Sequence, residues 1–321
     1  MIIITGAAGF IGSCMTAYLN ELGRTDLILV DDFSRPQKTA NYQHKSYHAL
    51  VDRQALWSWL DQSTVEVEAF IHLGARTDTT EKDWQIFERL NLTYSRRVWQ
   101  WCVQQACPLI YASSAATYGD GQLGFRDDHD RLSQLAPLNP YGQSKQAFDL
   151  WALDQPHSPP WWAGLKFFNV YGPNEYHKGR MASVIFHAFH QIRQTAGLRL
   201  FRSHRADIPH GHQARDFIYV KDLVHIIDFL LKQQVQSGIY NVGTGQARSF
   251  LDLARALFVA MDVPESITFI DTPVDIRQTY QYFTQADMDK LRRAGYSSAF
   301  TSLELGVKNY LDEYLFAEKC W

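Results

Sequence analysis

Ile2-Ile3-Ile4-Thr5-Gly6-Ala7-Ala8-Gly9-Phe10-Ile11-Gly12 decides the fold of this chain. A run of β-branched residues makes a short buried strand, and glycines at Gly6, Gly9 and Gly12 carry the backbone from it into a helix. Such glycines serve a tight turn, a close approach of ligand to backbone, and packing of helix on strand. The bare N–H groups that open the helix, with its dipole behind them, favour a pyrophosphate. A glycine turn by itself is also an ordinary connection. Its place between a strand and a helix is what points to a dinucleotide.

Working outward, the first half alternates aliphatic runs with longer amphipathic stretches, the pattern of βαβ units feeding a parallel sheet. The further runs are Leu27-Ile28-Leu29-Val30-Asp31, Ala69-Phe70-Ile71-His72, Leu109-Ile110-Tyr111-Ala112 and Gly164-Leu165-Lys166-Phe167-Phe168. Helices are expected over about 9–22, 53–61, 91–105 and 140–154. The expected fold class is α/β, a doubly wound parallel sheet of the Rossmann type with a second, smaller α/β domain. After Pro173 the alternation becomes irregular, and the His- and Arg-rich segment 202–215 reads as loop. The strand Gly238-Ile239-Tyr240-Asn241-Val242 then returns just before Gly243-Thr244-Gly245. The first domain is therefore expected to be discontinuous, 1–172 plus about 215–244, with about 173–214 plus 245–321 binding the substrate. Thr301 and Glu304 are spaced to open the last helix as a capping box. Trp57, Trp59, Trp99 and Trp101 read as core plus a subunit interface.

At 321 residues the chain suits about two domains. With 46% hydrophobic and 20% charged residues it lies in the globular range. Lys plus Arg is 31 and Asp plus Glu is 34, so no excess of cations attracts a phosphate backbone and nucleic acid is not an expected partner. Cys14, Cys102, Cys107 and Cys320 lack Cys-x-x-Cys spacing and the density of a disulfide scaffold, so a reducing, cytoplasmic compartment is expected. The apolar first residues lack a basic flank and read as a strand rather than a signal peptide. No run of about 18 apolar residues marks a membrane span.

Asp31 closes the second strand, where an acid binds the adenosine ribose. A carboxylate there favours NAD, since it accepts from a free 2′-hydroxyl and repels a 2′-phosphate. Lys38 and Arg53, with Arg35 nearby, are what a 2′-phosphate needs, so spacing alone does not choose between NAD and NADP. Tyr141-Gly142-Gln143-Ser144-Lys145 puts a phenol and an ammonium on one helix face, one turn apart. The ammonium is expected to favour the phenolate and fit it for general base work, and Lys145 is also placed to hold the nicotinamide ribose. Ser113 and Ser114 end the fourth strand on the sheet edge where doubly wound folds bind ligands.

Thr5-Gly6 to Gly12, His72-Leu73-Gly74-Ala75, Tyr111 to Gly119, Tyr141 to Lys145, Phe168-Asn169-Val170-Tyr171-Gly172-Pro173, Arg215-Asp216-Phe217-Ile218-Tyr219-Val220 and Asn241 to Gly245 run nearly end to end. On them the chain resembles the extended short-chain dehydrogenase/reductase family of nucleotide-sugar enzymes. The resemblance implies an enzyme with one nicotinamide cofactor per subunit, a nucleotide-sugar substrate and a homo-oligomeric state. Lys166 stands where members usually carry Arg and keeps the charge. Members that dehydrate a sugar carry an Asp-Glu pair where this chain has Ala115 and Ala116. Methyl groups transfer no protons, so dehydration is not expected.

His177-Lys178-Gly179-Arg180-Met181-Ala182-Ser183-Val184, with Tyr280-Gln281 and Phe283-Thr284-Gln285-Ala286-Asp287, resembles the branch that inverts carbon 6 of an ADP-linked heptose destined for the lipopolysaccharide core. By matching position, that resemblance implies Tyr141 and Lys178 as opposed proton-transfer groups, assisted by Lys145 and Ser114. Around the cofactor, usually NADP in this branch, it implies the loop Gly6, Gly9, Phe10, Ile11 and Gly12, then Asp31, Asp32, Lys38 and Arg53. The segment Leu73, Gly74, Ala75, Arg76 and Thr77 joins them, with Asn91, Tyr141, Lys145, Val170 and Lys178. Around the ADP-heptose it implies Ser114, Asn169, Arg180, His187, Phe201, Arg202, Ser203, His204, Arg215 and Tyr280, Arg215 being the diphosphate clamp. Arg180 replaces a usually small residue, and the stretch from Phe201 to Arg215 is longer than usual in this branch. His204, His210 and His212 fall there with no Cys and only Asp207 beside them, so no metal is expected. The alternatives are a UDP-hexose 4-epimerase and a noncatalytic dinucleotide sensor. The intact Ser114, Tyr141 and Lys145 speak against the sensor.

Overall fold

A computed structural model describes residues 1–277 and 280–321, and its frame is one parallel sheet. The first six strands are β1 (Ile2–Thr5), β2 (Leu27–Asp31), β3 (Ala49–Asp52), β4 (Ala69–His72), β5 (Leu109–Ser114) and β6 (Trp162–Phe167). Next along the chain come β7 (Asn169–Tyr171), β8 (Leu198–Phe201), β9 (Ala214–Tyr219), β10 (Gly238–Val242), β11 (Ala247–Ser249) and β12 (Ile267–Ile270). The central sheet has seven strands in the order β10-β6-β5-β4-β1-β2-β3, every neighbouring pair parallel. A parallel sheet is covered on both faces, which is why β1, β2, β4, β6 and β10 are buried along their whole lengths. β3 has no aliphatic signature because it is the edge strand, with only Val51 buried.

The covering helices start with α1 (Phe10–Glu21), α2 (Leu56–Gln62), α3 (Trp84–Phe87), α4 (Tyr94–Gln104) and α5 (Pro140–Leu153). Where one helix from residue 91 is expected, a π-helical turn over Glu88–Thr93 precedes α4, and it buries the Asn91 side chain. α5 starts on Pro140 because Asn139 accepts from the Gly142 N–H and proline needs no partner at a first helical position. Further on are α6 (Val184–Thr195), α7 (Val220–Gln233) and α8 (Phe250–Ala260). α7 packs on α1, the Tyr18 hydroxyl donating to Asp228 at 3.0 Å. A capping box forms at Ser249 and Asp252. The one expected at Thr301 does not, since Thr301 donates to the Asp222 carboxylate and Ser302 caps the helix. Trp57 and Trp99 are buried, Trp99 edge-on to Trp162 with ring centroids 5.1 Å apart.

β10 re-enters the central sheet beside β6, whereas β8 pairs with β12, and β7, β9 and β11 form a third sheet. On that ground we propose the division into a discontinuous dinucleotide-binding part, 1–172 plus about 215–244, and a substrate-binding remainder. No helix among the described residues is long and apolar enough to cross a membrane.

His72 joins the central strands where they meet the site. Its Nδ1 lies 2.6 Å from the Thr5 hydroxyl and its Nε2 2.8 Å from the Ser95 hydroxyl. Ser95 donates to the Asn91 carbonyl and Thr5 Oγ1 accepts from the Gly74 N–H, so the consistent assignment is a neutral ring protonated on Nε2. Burial, with Lys145 nearby, pushes its pKa down to about 3. As pH falls below about 6.5, the unfolded chain therefore takes up a proton that the folded chain refuses. We expect this group to cost stability at up to about 1.4 kcal/mol per pH unit between pH 6.5 and 3. Denaturant titrations across that range check it: His72→Gln should flatten the slope, and an unchanged slope refutes the assignment.

Candidate active site

The glycine loop is built by close approach. Gly6 has φ of +69°, and a Cβ on it would lie 2.7 Å from the Gly74 nitrogen. One on Gly12 would lie 2.1 Å from the Gly6 carbonyl oxygen. α1 opens with no side-chain cap, which leaves its first N–H groups for a ligand. The Ala8 N–H donates to Asp31 at 3.0 Å, and the Asp32 N–H and the Lys38 ammonium both donate to its other oxygen at 2.7 Å. Asp31 is thus spent on holding the loop and neutralised by Lys38. Arg35 and Arg53 pair with Asp32 at 3.2 and 3.4 Å. These residues fit an anionic dinucleotide: a cradle closed to side chains, an uncapped helix, and three cations at the end of β2.

Across the sheet switch, between β1 and β4, lies the loop from Leu73 to Thr77. Asn91 clasps it, accepting from the Arg76 N–H at 2.7 Å and donating to the Arg76 carbonyl and the Ser144 hydroxyl at 2.9 Å. The Asn91 side chain therefore shapes the loop from behind.

Ser113 and Ser114 leave β5 in opposite directions. Ser113 turns inward and donates to Asp149 at 2.7 Å, while the Ser114 hydroxyl accepts from the Ala116 N–H and lies near the Tyr141 phenol, whose ionised form it favours. Lys145 is buried and donates to the Ala112 carbonyl at 2.8 Å, its pKa pushed down by burial to about 8. The Tyr141 phenol is raised, chiefly by burial, against the pull of Ser114. Burial thus acts against the phenolate that the Tyr-x-x-x-Lys spacing favours, and Ser114 is the group that opposes it.

Lys178 lies on a turn, Tyr176–Met181, with its ammonium 5.1 Å from the Phe10 ring centroid. Asn41 secures that turn to the glycine loop, its amide touching the Ala8 and Asn174 carbonyls and His177 Nδ1. Desolvation lowers the Lys178 pKa and the nearby Glu175 opposes it. Glu175 is itself fully buried, accepting from the Ser183 hydroxyl at 2.6 Å and from Tyr310 at 3.1 Å.

On the remaining side Arg215 is buried, its guanidinium 5.5 Å from the Phe250 ring and 5.4 Å from the Tyr280 ring. Phe201 meets Tyr280 edge-on at 6.2 Å, so Phe201, Arg215 and Tyr280 come together. Val170 is half-buried, and Asn169 is exposed with its carbonyl oxygen 3.3 Å from Thr284. Arg202 pairs with Asp271, Ser203 donates to the Arg205 carbonyl, and His187 is exposed beside Phe186. Arg180 reaches across to Asp78 at 2.9 Å. His204 and His210 accept backbone N–H groups of Thr272 and Ser203, so both serve the loop.

The family model described as NAD dependent epimerase/dehydratase matches residues 2–243. The chain belongs to the NAD-dependent epimerase/dehydratase family. It is 46% identical, over 99% of both chains, to the ADP-L-glycero-D-manno-heptose-6-epimerase of Fusobacterium nucleatum. It is 48% identical to the enzyme of that name from Nitratidesulfovibrio vulgaris, over 99% of this chain and 98% of that one. The crystal structure of the Helicobacter pylori enzyme of the same name superposes with a TM-score of 0.83 at 26% identity, covering 97% of this chain and 95% of that one.

Within this family frame, sequence reasoning passed over Asn41, Asp149 and Glu175. Asp149 had a signal, since it continues the Tyr141–Lys145 face by one more turn. Asn41 had none, because its partners Ala8, Asn174, His177 and Cys320 lie far from it in sequence. The crowding at Gly12 yields an expectation: Gly12→Ala should weaken dinucleotide binding at least about a hundredfold, since the loop cannot close around an added methyl. Quenching of tryptophan fluorescence by added dinucleotide measures this, and unchanged affinity refutes the close-approach reading.

Proposed function

We propose that this chain interconverts the two carbon-6 epimers of ADP-glycero-manno-heptose, with no net redox change. The observation that carries the reading is full-length similarity to heptose epimerases, in a chain whose half-buried Lys178 lies against the glycine loop while Tyr141 and Ser114 meet at the end of β5. Bound nicotinamide dinucleotide supplies a hydride acceptor and then a donor. The hydroxyl-bearing carbon of the sugar has no activated C–H bond, so inversion through a transient 6-ketone needs one group to take the hydroxyl proton and another to return one from the other face. Tyr141, its phenol desolvated and held protonated, suits the donor, and Lys178, shifted towards its neutral amine, suits the acceptor. In the reverse direction the roles exchange. Ser114 supports the phenol and can donate to the sugar oxygen, and Arg215 supplies a guanidinium for the diphosphate. Ala115 and Ala116 offer no acid for dehydration.

NADP is the cofactor of this proposal. Asp31 is occupied by two N–H groups and Lys38, so it offers a 2′-hydroxyl little, while Lys38, Arg53 and Arg35 supply charge for a 2′-phosphate. A cytoplasmic setting and a homo-oligomeric state belong to the same reading.

Three measurements test it. Incubation of either ADP-heptose epimer with the NADP-loaded protein should bring NMR signals of both to one equilibrium ratio, and no change at high protein concentration rejects the activity. Tyr141→Phe and Lys178→Met should each slow turnover by about a hundredfold or more while dinucleotide stays bound, as expected for lost acid–base groups; a fully active Lys178→Met removes that residue from the pair. Lys38→Ala should lower affinity for NADP about tenfold or more relative to NAD, and competition binding of the two dinucleotides reads the ratio.

A further inference from the structure

Asp149 and Lys166 are both wholly buried and bonded at 2.7 Å, and neither has a part in the mechanism above. A buried ion pair is seldom worth its desolvation for stability alone, so its connections are informative. The Asp149 carboxylate also accepts from the Ser113 hydroxyl at 2.7 Å and the Tyr111 hydroxyl at 3.1 Å. The Lys166 ammonium also donates to the Thr117 hydroxyl at 2.7 Å, and Thr117 donates onward to the Ser114 carbonyl at 2.8 Å. On the same face of α5, one turn before Asp149, Lys145 grips the Ala112 carbonyl. Four consecutive residues of β5, from Tyr111 to Ser114, are thus held by Lys145, Asp149 and the Lys166–Thr117 link. These are the residues that set Ser114 against Tyr141.

The pair also governs the charge near Lys145. Asp149, on its own helix, is the group that supports its protonated form. Tyr111 on β5, Tyr141 on α5 and the neutral His72 on β4 bring no charge. Lys166 on β6 supplies the compensating cation, and His129, in the turn His129–Gln134, is neutralised by burial. Glu88 and Arg89 of the π-helical turn packed on α5 are exposed.

We propose that Asp149 and Lys166 are positioning residues of the catalytic helix: together they hold Ser114 and Lys145 in register and fix the charge that Lys145 experiences. The proposal rests on the epimerase reading for its kinetic part only. The first readout is therefore NMR titration of the full chain carrying 13C-labelled lysine, with the Lys145 signal assigned by Lys145→Arg. Asp149→Asn should lower the Lys145 titration midpoint by about one pH unit, a charge effect of ordinary size. Asp149→Asn/Lys166→Met, neutral again as a pair, should bring it back. Lys166→Met alone, which leaves Asp149 facing Lys145, should raise it, so the sign can be read even if Asp149→Asn does not fold. In the wild type and each folded variant, the alkaline limb of the kcat/KM profile should move with that midpoint, while the Kd for NADP changes less than kcat. A midpoint that stays put, or a double variant no nearer to wild type than the single, overturns the proposal. A midpoint that moves while the profile does not also overturns it. Absence of epimerisation by the wild type rejects the function proposed above and leaves the NMR titration to decide the positioning role by itself.

Discussion

Everything at this site depends on three backbone segments approaching more closely than side chains permit. Gly6 lies against Gly74, and Gly12 lies against the Gly6 carbonyl. The first contact brings the exits of β1 and β4 together at the point where strand order reverses. The second seats α1 on the loop with its N–H groups facing outward. A Cβ at either place collides with backbone, which cannot move aside as a flexible side chain does.

Given that junction, the remaining parts are held by buried polar groups rather than by apolar packing alone. His72 ties β1, β4 and α4; Asn91 ties the β4 loop to α5; Asn41 ties the glycine loop to the turn bearing Lys178. Asp31 contributes to the same fastening, accepting from the glycine loop and from Lys38. Each is a short side chain whose donors and acceptors are met by specific partners, and each would lose its partners if a segment shifted. The site is in this sense a set of clasps on a rigid sheet edge.

The electrostatics follow from burial more than from neighbouring charges. Tyr141, Lys145, Lys178 and His72 are all driven toward their neutral forms, with desolvation as the largest cause in each. Two carboxylates resist this, Asp149 behind Lys145 and Glu175 behind Lys178. A proton-transfer pair with no charged form strongly preferred is suited to the proposed reaction, in which one group takes the proton of a sugar hydroxyl and the other returns one to the ketone oxygen.

The alternation of strands and helices, the three glycines, the Tyr-x-x-x-Lys face and the return of a strand at Gly238 were legible in the sequence because each is a local pattern imposed by backbone geometry. Period and glycine spacing need no knowledge of distant neighbours. The edge strand at Ala49, the π-helical turn at Glu88 and the cap at Ser302 were not legible, since local patterns there are weak or compete. The protonation of Tyr141, the inward turn of Ser113, the engagement of Asp31 by the loop and the Asp149–Lys166 pair were decided only by tertiary structure. Burial and hydrogen-bond partners come from residues far apart in the chain, and those set the charge and direction of a side chain whose identity alone leaves both open.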